Sequence, residues 1–269
     1  MILLMQTDNI LKVSVVQTSI VWEDPEANRK QLEVKITKVL EHTRTDLVVL
    51  PEMFTTGFTM NAHKLAETMQ GTTVLWMQQI AVTHSIAITG SLIIKENNNF
   101  YNRLLFVYPS GDVTYYDKKH SFTLANEHKT FTSGAEKLIV NYKGWKICPL
   151  ICYDLRFPVW SRNVEKYDLL LYVASWPQKR IYAWNSLLKA RAIENMSYTI
   201  GVNRIGLDAS KFQYNGHSIV LNTLGEPISE PFNEHETILQ VSLSKTIQDV
   251  LRQKMGFLND MDAFTLQKK

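Results

Sequence analysis

An α/β fold of mixed layers, rather than a pure parallel barrel, is what the sequence predicts, and three observations predict it. Nine short runs rich in β-branched and large apolar residues have the length of buried strands. Between several of them lie stretches with apolar residues at helical spacing, most clearly in the first half of the chain. Two of the runs, residues 47–51 and 169–176, are hydrophobic on both faces, as strands inside a covered sheet are.

In chain order, a strand over residues 12–20 precedes a helix over 25–43, where Leu32, Ile36, Val39 and Leu40 are apolar and charge occupies other positions. Strand 47–51 leads to a helix over 72–84 carrying Leu75, Trp76, Ile80 and Ala81, then to strands 85–94 and 103–108. Pro109-Ser-Gly-Asp112 ends that run as a turn. Strand 145–152 is followed by a helix over 158–166, since the fixed φ of Pro158 suits a first helical turn. Strand 169–176, a helix over 182–195 and strands 198–203 and 218–222 come next. Leu224-Gly-Glu-Pro227 is a second turn, and strand 238–243 closes the series.

Asp46-Leu-Val-Val-Leu-Pro51 and Asp168-Leu-Leu-Leu-Tyr-Val173 echo one another, each following a helical segment and leading into a loop. Two similar halves packed as two sheets would explain the echo. No solenoid period, low-complexity tract or linker divides the chain, so residues 1–269 read as one domain.

Composition narrows the class. The 269 residues are 45% hydrophobic, enough to bury a substantial core, and a net charge of +3 is spread without a run of like charges. That argues against a nucleic-acid partner. No stretch approaches 18 uninterrupted apolar residues, which argues against a membrane span. Met1-Ile-Leu-Leu-Met5 lacks the basic start, long apolar centre and cleavage site of a secretory leader. The two cysteines, Cys148 and Cys152, sit about 13 Å apart if both lie on one strand, beyond disulfide reach. Unpaired thiols suit a reducing cytoplasm, and two of them without nearby ligand partners make no zinc site, so neither metal nor cofactor is expected.

Three residue types carry possible chemistry. Cys152 stands where an apolar strand gives way to Tyr153-Asp-Leu-Arg156 and a helix start, a place where a nucleophile lies close to free backbone N–H groups; most buried cysteines, though, are inert core thiols. A thiol also needs activation, and none of the seven histidines, His120 and His128 included, has a partner pattern that marks a base. Glu52 directly follows strand 47–51, at a position that a helix cap or a solvated loop would equally explain. Lys118, in Asp117-Lys-Lys-His120, would lower a neighbouring thiol's pKa and donate to a developing oxyanion, or would simply be a surface lysine.

Order and context add what the single residues lack. Leu50-Pro-Glu-Met-Phe-Thr-Thr-Gly57, Asp117-Lys-Lys-His120, Ile151-Cys-Tyr-Asp-Leu-Arg-Phe-Pro158 and Lys189-Ala-Arg-Ala-Ile-Glu-Asn195 appear in that order, and together they resemble the nitrilase superfamily of carbon–nitrogen hydrolases. The resemblance runs nearly end to end, from residues 13–18 to the tail 252–264. It implies a four-layer α-β-β-α sandwich of two mixed sheets and a catalytic triad of Glu52, Lys118 and Cys152. The lysine two residues before His120 matches, which selects Lys118 over Lys119. Glu127 matches a second glutamate beside the triad, and the backbone N–H of Tyr153 an oxyanion donor.

Pro51-Glu-Met-Phe54 with its Thr56-Gly-Phe58, and Phe157-Pro-Val-Trp160, look most like the omega-amidase branch. That likeness implies hydrolysis of a small omega-amide of an α-keto acid, such as 2-oxoglutaramate, through a cysteine thioester, with water as the other reactant. Arg156 is then a candidate for the substrate carboxylate and Trp176 for a pocket wall; an ion pair and a core tryptophan are the plain alternatives. The family also implies a homodimer. Two rival readings share the fold: an N-carbamoyl amidohydrolase with the same triad, and a catalytically silent binding protein.

Overall fold

Alternating side chains in the first strands set the layering. The structure, a computed structural model, describes residues 9–267, so the opening Met1–Met5 weighed above as a leader lies outside the described residues. In β1 (Ile10–Gln17), Leu11, Val13 and Val15 join one apolar cluster and Val16 another. After α1 (Pro25–His42), β2 (Leu47–Val49) repeats the split, with Leu47 and Val49 opposed to Val48. The short α2 (Ala62–Leu65), then α3 (Thr72–His84), lead to β3 (Ala87–Glu96), β4 (Asn99–Val107) and β5 (Val113–Asp117). In β4, Leu104 and Phe106 take the first side, Leu105 and Val107 the second. The second cluster takes in Leu32 and Ile36 of α1 with Val74, Met77 and Ile80 of α3, so these helices cover the outer face of the sheet.

A second sheet covers the inner face. It is built from β6 (Val140–Tyr142), β7 (Trp145–Ile151), β8 (Leu169–Ala174) and β9 (Tyr198–Asn203), joined after the hairpin β10 (Ile205–Leu207) and β11 (Gln213–Asn215) by β12 (Ile219–Leu221). One-turn α4 (Pro158–Ser161) and α5 (Ile181–Asn195) interrupt these strands, and Trp184, Leu188 and Ala192 of α5 pack on the outside of the sheet. The last strand, β13 (Thr237–Ser244), returns to pair antiparallel with β1 before α6 (Lys245–Met255). The sheet orders are β13-β1-β2-β3-β4-β5 and β12-β9-β8-β7-β6, with three parallel strands at the centre of each. This is the expected α-β-β-α sandwich, with β2 and β8 internal.

The sequence echo has a physical basis. Asp46 exchanges bonds with Lys12, its N–H donating to the lysine carbonyl (2.8 Å) while its carboxylate accepts the lysine N–H (2.9 Å). Asp168 does the same with Lys146, at 2.7 and 2.9 Å. Each aspartate locks the entry of one sheet's central strand to the strand before it. Both strands therefore run out, at their carboxyl ends, toward the same place.

Several boundaries differ from the sequence reading. The first strand stops at Gln17, not at residue 20, and strand 145–152 stops at Ile151. The helix expected over 158–166 ends at Ser161: Arg162 is extended (ψ 134°), and the Asn163 side chain accepts from Tyr167 N–H and donates to its carbonyl, a local closure that competes with helix. Strands β5, β6, β10 and β11 were not expected. Three of them are only three residues long, too short for a period to show, and β5 is half-exposed with no apolar alternation. Helix α6 was also missed, although Ser244 caps it by accepting from Ile247 N–H (3.2 Å).

Gly90 lets the segment after β2 lie on β3. A Cβ there would stand 2.8 Å from Phe54 Cδ1 and 2.9 Å from Leu50 Cβ, on either side of Glu52. Gly90→Ala is therefore expected to cost about 1–3 kcal/mol through overpacking, read as a lower Tm; an unchanged Tm would refute the close approach.

Candidate active site

Three strand ends deliver the site. Glu52 follows β2, and Met53 beside it takes a left-handed backbone (φ 45°) while its N–H donates to Ser91 Oγ at 2.9 Å. Lys118 follows β5, the strand that sequence reasoning missed. Cys152 follows β7 as the first residue of a 3-10 turn, Cys152–Arg156, with φ 43°. A left-handed conformation is uncommon for a non-glycine residue and costs energy, so the surroundings must enforce it.

Asp154 does the enforcing. Its carboxylate is buried and accepts from Ile151 N–H (3.1 Å), Tyr116 hydroxyl (2.8 Å) and His120 N–H (3.0 Å), with His120 Nδ1 at 2.7 Å. One side chain thus ties the Cys152 turn to the strand and loop that carry Lys118. The His120 ring stacks on Phe157, 3.7 Å between centroids, and Tyr116 also accepts from Trp160 Nε1 at 3.0 Å. On the other flank, Arg191 of α5 donates to Leu155 carbonyl (2.7 Å), while Asn195 accepts from Asn163 N–H at 3.0 Å. These contacts account for the His of the second motif, the Asp of the third and the Arg and Asn of the fourth.

At the centre, Lys118 Nζ donates to Glu52 Oε1 (2.8 Å) and to both oxygens of Glu127 (2.9 and 3.0 Å). Glu52 and Glu127 are 0% exposed and Lys118 3%. The remaining lone pairs are met by Asn102 Nδ2, which reaches Glu52 Oε1 (2.8 Å) and Glu127 Oε1 (3.2 Å), by Phe122 N–H on Glu127, and by Ser175 N–H on Glu52 Oε2 (2.9 Å). Ser175 Oγ adds a bond to the Glu52 carbonyl at 3.3 Å, and Cys152 Sγ lies 4.0 Å from the Ser175 carbonyl. Lys119 points elsewhere, its ammonium 5.5 Å from the centre of the Trp160 ring.

Burial opposes the charge on Lys118, but Glu127 and Glu52 more than offset it and hold the ammonium ionised. Burial also raises the Glu127 carboxyl above the ordinary carboxylate range, with Lys118 pulling the other way. The Cys152 thiol is pushed well above its ordinary value by burial and then by Glu52, against a smaller pull from Lys118. Lys118 does pull the thiol down as expected, but burial and Glu52 outweigh it. In the resting site Cys152 is a neutral thiol.

Glu52, Lys118 and Cys152 form the floor of a cleft of about 390 Å³. Tyr153, Arg156 and Trp176 line it as well, as do Phe58 and Phe122. Arg156 lies over the Trp176 ring, 4.8 Å from its centre. Tyr153 is the second residue of the 3-10 turn, where intrahelical bonding leaves N–H groups over. Sequence reasoning missed Asn102, Ser175 and Asp154 as parts of the site, and Arg180 in the cleft wall. Ser175, a polar residue inside the apolar run 169–176, offered such a signal, whereas Asn102, between Tyr101 and Arg103, offered none.

A four-layer sandwich whose strand ends bury a carboxylate, an ammonium and a thiol at the floor of one cleft defines the nitrilase class of hydrolase. Comparison with known proteins agrees. The sequence pattern of the Carbon-nitrogen hydrolase family matches residues 12–252. The chain is 41% identical over 256 residues to Omega-amidase YafV of Escherichia coli K12, covering 95% of this chain and 98% of that one. It is 31% identical over 254 residues to 2-oxoglutaramate amidase of Bacillus subtilis, covering 93% and 96%. Among solved structures, XC1258 of Xanthomonas campestris, a CN-hydrolase superfamily protein with an arsenic adduct in its active site, superposes with a TM-score of 0.92 at 40% identity, covering 97% and 100%. The chain belongs to the carbon–nitrogen hydrolase family of the nitrilase superfamily, as an amidohydrolase.

Two measurements check the site as built. Alkylation of Cys152 by N-ethylmaleimide should keep accelerating past the pH at which an ordinary thiol levels off, and a plateau below pH 7 would contradict the raised thiol. Asp154→Ala leaves Tyr116 and the Ile151 and His120 N–H groups without their acceptor, at about 1–3 kcal/mol for each group left unpaired. Its Tm should fall further than that of His120→Ala, which keeps the Tyr116 and Ile151 bonds; equal losses would show that Asp154 is not the clamp.

Proposed function

We propose that this hydrolase cleaves the terminal amide of a small omega-amide of an α-keto acid, such as 2-oxoglutaramate, to the acid and ammonia. The observation that carries the reading is the Lys118 ammonium held between two buried carboxylates beside a free thiol on the floor of the cleft. The names of the relatives above support the acyl group. So does Arg156, a half-buried cation on the cleft wall suited to a substrate carboxylate, with Trp176 as the surface beneath it.

In the proposed mechanism Glu52 takes the thiol proton as Cys152 Sγ bonds to the amide carbon. The carbonyl oxygen becomes an oxyanion held by Lys118 and by Tyr153 N–H. Glu52 returns the proton to nitrogen, the C–N bond breaks, and ammonia leaves a thioester on Cys152. Water then gives a proton to Glu52 and attacks the thioester carbon. The tetrahedral adduct expels the sulfur, which recovers the proton, and the acid departs. Glu127, bonded to Lys118 through both oxygens, positions the ammonium. These steps need no metal or organic cofactor.

Two further parts belong to the reading. The two free cysteines support a reducing compartment, and the cytoplasm is part of this reading. Among the described residues no helix is long and apolar enough to cross a membrane. A homodimer is the assembly expected of the family.

Ammonia release from 2-oxoglutaramate, succinamate, glutamine and N-carbamoyl compounds tests the substrate class. Turnover of the N-carbamoyl compounds alone would replace the reading with a carbamoyl amidohydrolase. Cys152→Ala should abolish turnover with the fold intact, and Glu52→Gln should lower kcat by roughly 10²–10⁴-fold. Activity retained in Cys152→Ala would overturn the mechanism.

A further inference from the structure

Arg180 is a cation in the cleft with no assigned task. It closes the 3-10 turn Gln178–Arg180 just before α5 and lines the same cleft as Arg156. Both arginines are half-buried, and among the described residues neither side chain makes an ion pair or hydrogen bond to the protein. Their guanidinium nitrogens keep contact with water at the cleft, so their N–H donors are open to an incoming acceptor.

Each has an aromatic platform instead. Arg156 lies 4.8 Å from the centre of the Trp176 ring, and Arg180 lies 5.1 Å from that of Phe122. A guanidinium held over a ring by its charge keeps N–H donors free for a planar acceptor. Both platforms are themselves fixed. Trp176 Nε1 donates to the Arg180 carbonyl at 2.8 Å, which joins the two arginines, and Trp176 N–H donates to Asn203 Oδ1 at 2.7 Å. Phe122 N–H donates to Glu127, and the Phe122 ring meets that of Tyr153 edge-on at 5.0 Å. Asp208 also borders the cleft, but its carboxylate is engaged by Tyr214 hydroxyl (3.0 Å) and Phe212 N–H (2.9 Å).

From this we infer that Arg180 and Arg156 form a two-guanidinium clamp for the acid end of the substrate, with Arg180 a specificity-determining residue. The inference rests on the omega-amide reading above. An α-keto acid end offers a carboxylate with an adjacent carbonyl oxygen, a planar set of acceptors suited to two guanidinium groups. A neutral alkyl amide presents only a hydrocarbon tail at that end, with no acceptor for either. The clamp therefore selects amides that carry an acid at the far end of a short chain.

The test measures ammonia release from 2-oxoglutaramate, succinamate and butyramide by wild type, Arg180→Gln and Arg180→Lys. The ratio of kcat/KM for each acid over that for butyramide should fall roughly 10- to 100-fold in Arg180→Gln, mostly through KM, the scale of losing a charged hydrogen-bond partner. Arg180→Lys keeps the charge without the fork and should recover part of the ratio. A loss shared equally by butyramide would mark Arg180 as structural and overturn the assignment, as would a ratio that Arg180→Gln leaves intact. Wild type that turns over butyramide and neither acid would overturn the substrate reading itself, before any variant is considered.

Discussion

The ammonium of Lys118 is the constraint around which the site is arranged. Two carboxylates without exposure would repel one another and face a desolvation cost of several kcal/mol each if left alone. Lys118 meets both, and its three protons match the three oxygens it reaches. The bonding is uneven in a useful way. Glu127 engages the lysine with both oxygens, whereas Glu52 gives one oxygen to the lysine and offers the other to Ser175 N–H. Glu127 is thus the fixed member, and Glu52 the one left facing the thiol in the proposed chemistry.

Such a cluster demands accurate placement, because breaking one partner of a buried charge group leaves an uncompensated charge worth about 3–5 kcal/mol. The backbone supplies the accuracy. Left-handed residues at Met53 and Cys152 turn the chain sharply where two parallel strands end. Asp154 holds one turn against the Lys118 loop, and the close approach at Gly90 seats the other. The neutral Cys152 thiol follows from the same design, since a floor dry enough to hold Lys118 ionised between carboxylates is also too dry, and too near Glu52, to hold a free thiolate.

Strands whose residues alternate or are apolar throughout were legible in the sequence. β8 is visible because burial on both faces demands continuous apolar side chains. β5 was not, because an edge strand reading Val-Thr-Tyr-Tyr-Asp is half in water and carries no pattern, yet it delivers Lys118. The site residues were named from motif order, not from periodicity. What no motif reveals is connection across the sheets: Asn102 shared by two glutamates, Ser175 meeting Glu52 over 123 positions, and Asp154 joining two loops. The net direction of the thiol's shift was not legible either, because a sequence displays the nearby lysine, whose pull is real, but not the loss of water that outweighs it.

The paired locks at Asp46 and Asp168 make the two sheets near-repeats of one another. Glu52 and Lys118 issue from the first sheet, Cys152 and Ser175 from the second. Neither sheet owns the whole proposed set, so the proposed chemistry requires the two faces to stay in registration. A few ångströms of slip between them would leave every strand paired and every helix wound, yet part the thiol from its carboxylate. On the proposed chemistry, turnover is in effect a gauge of how the two halves of the sandwich sit upon each other.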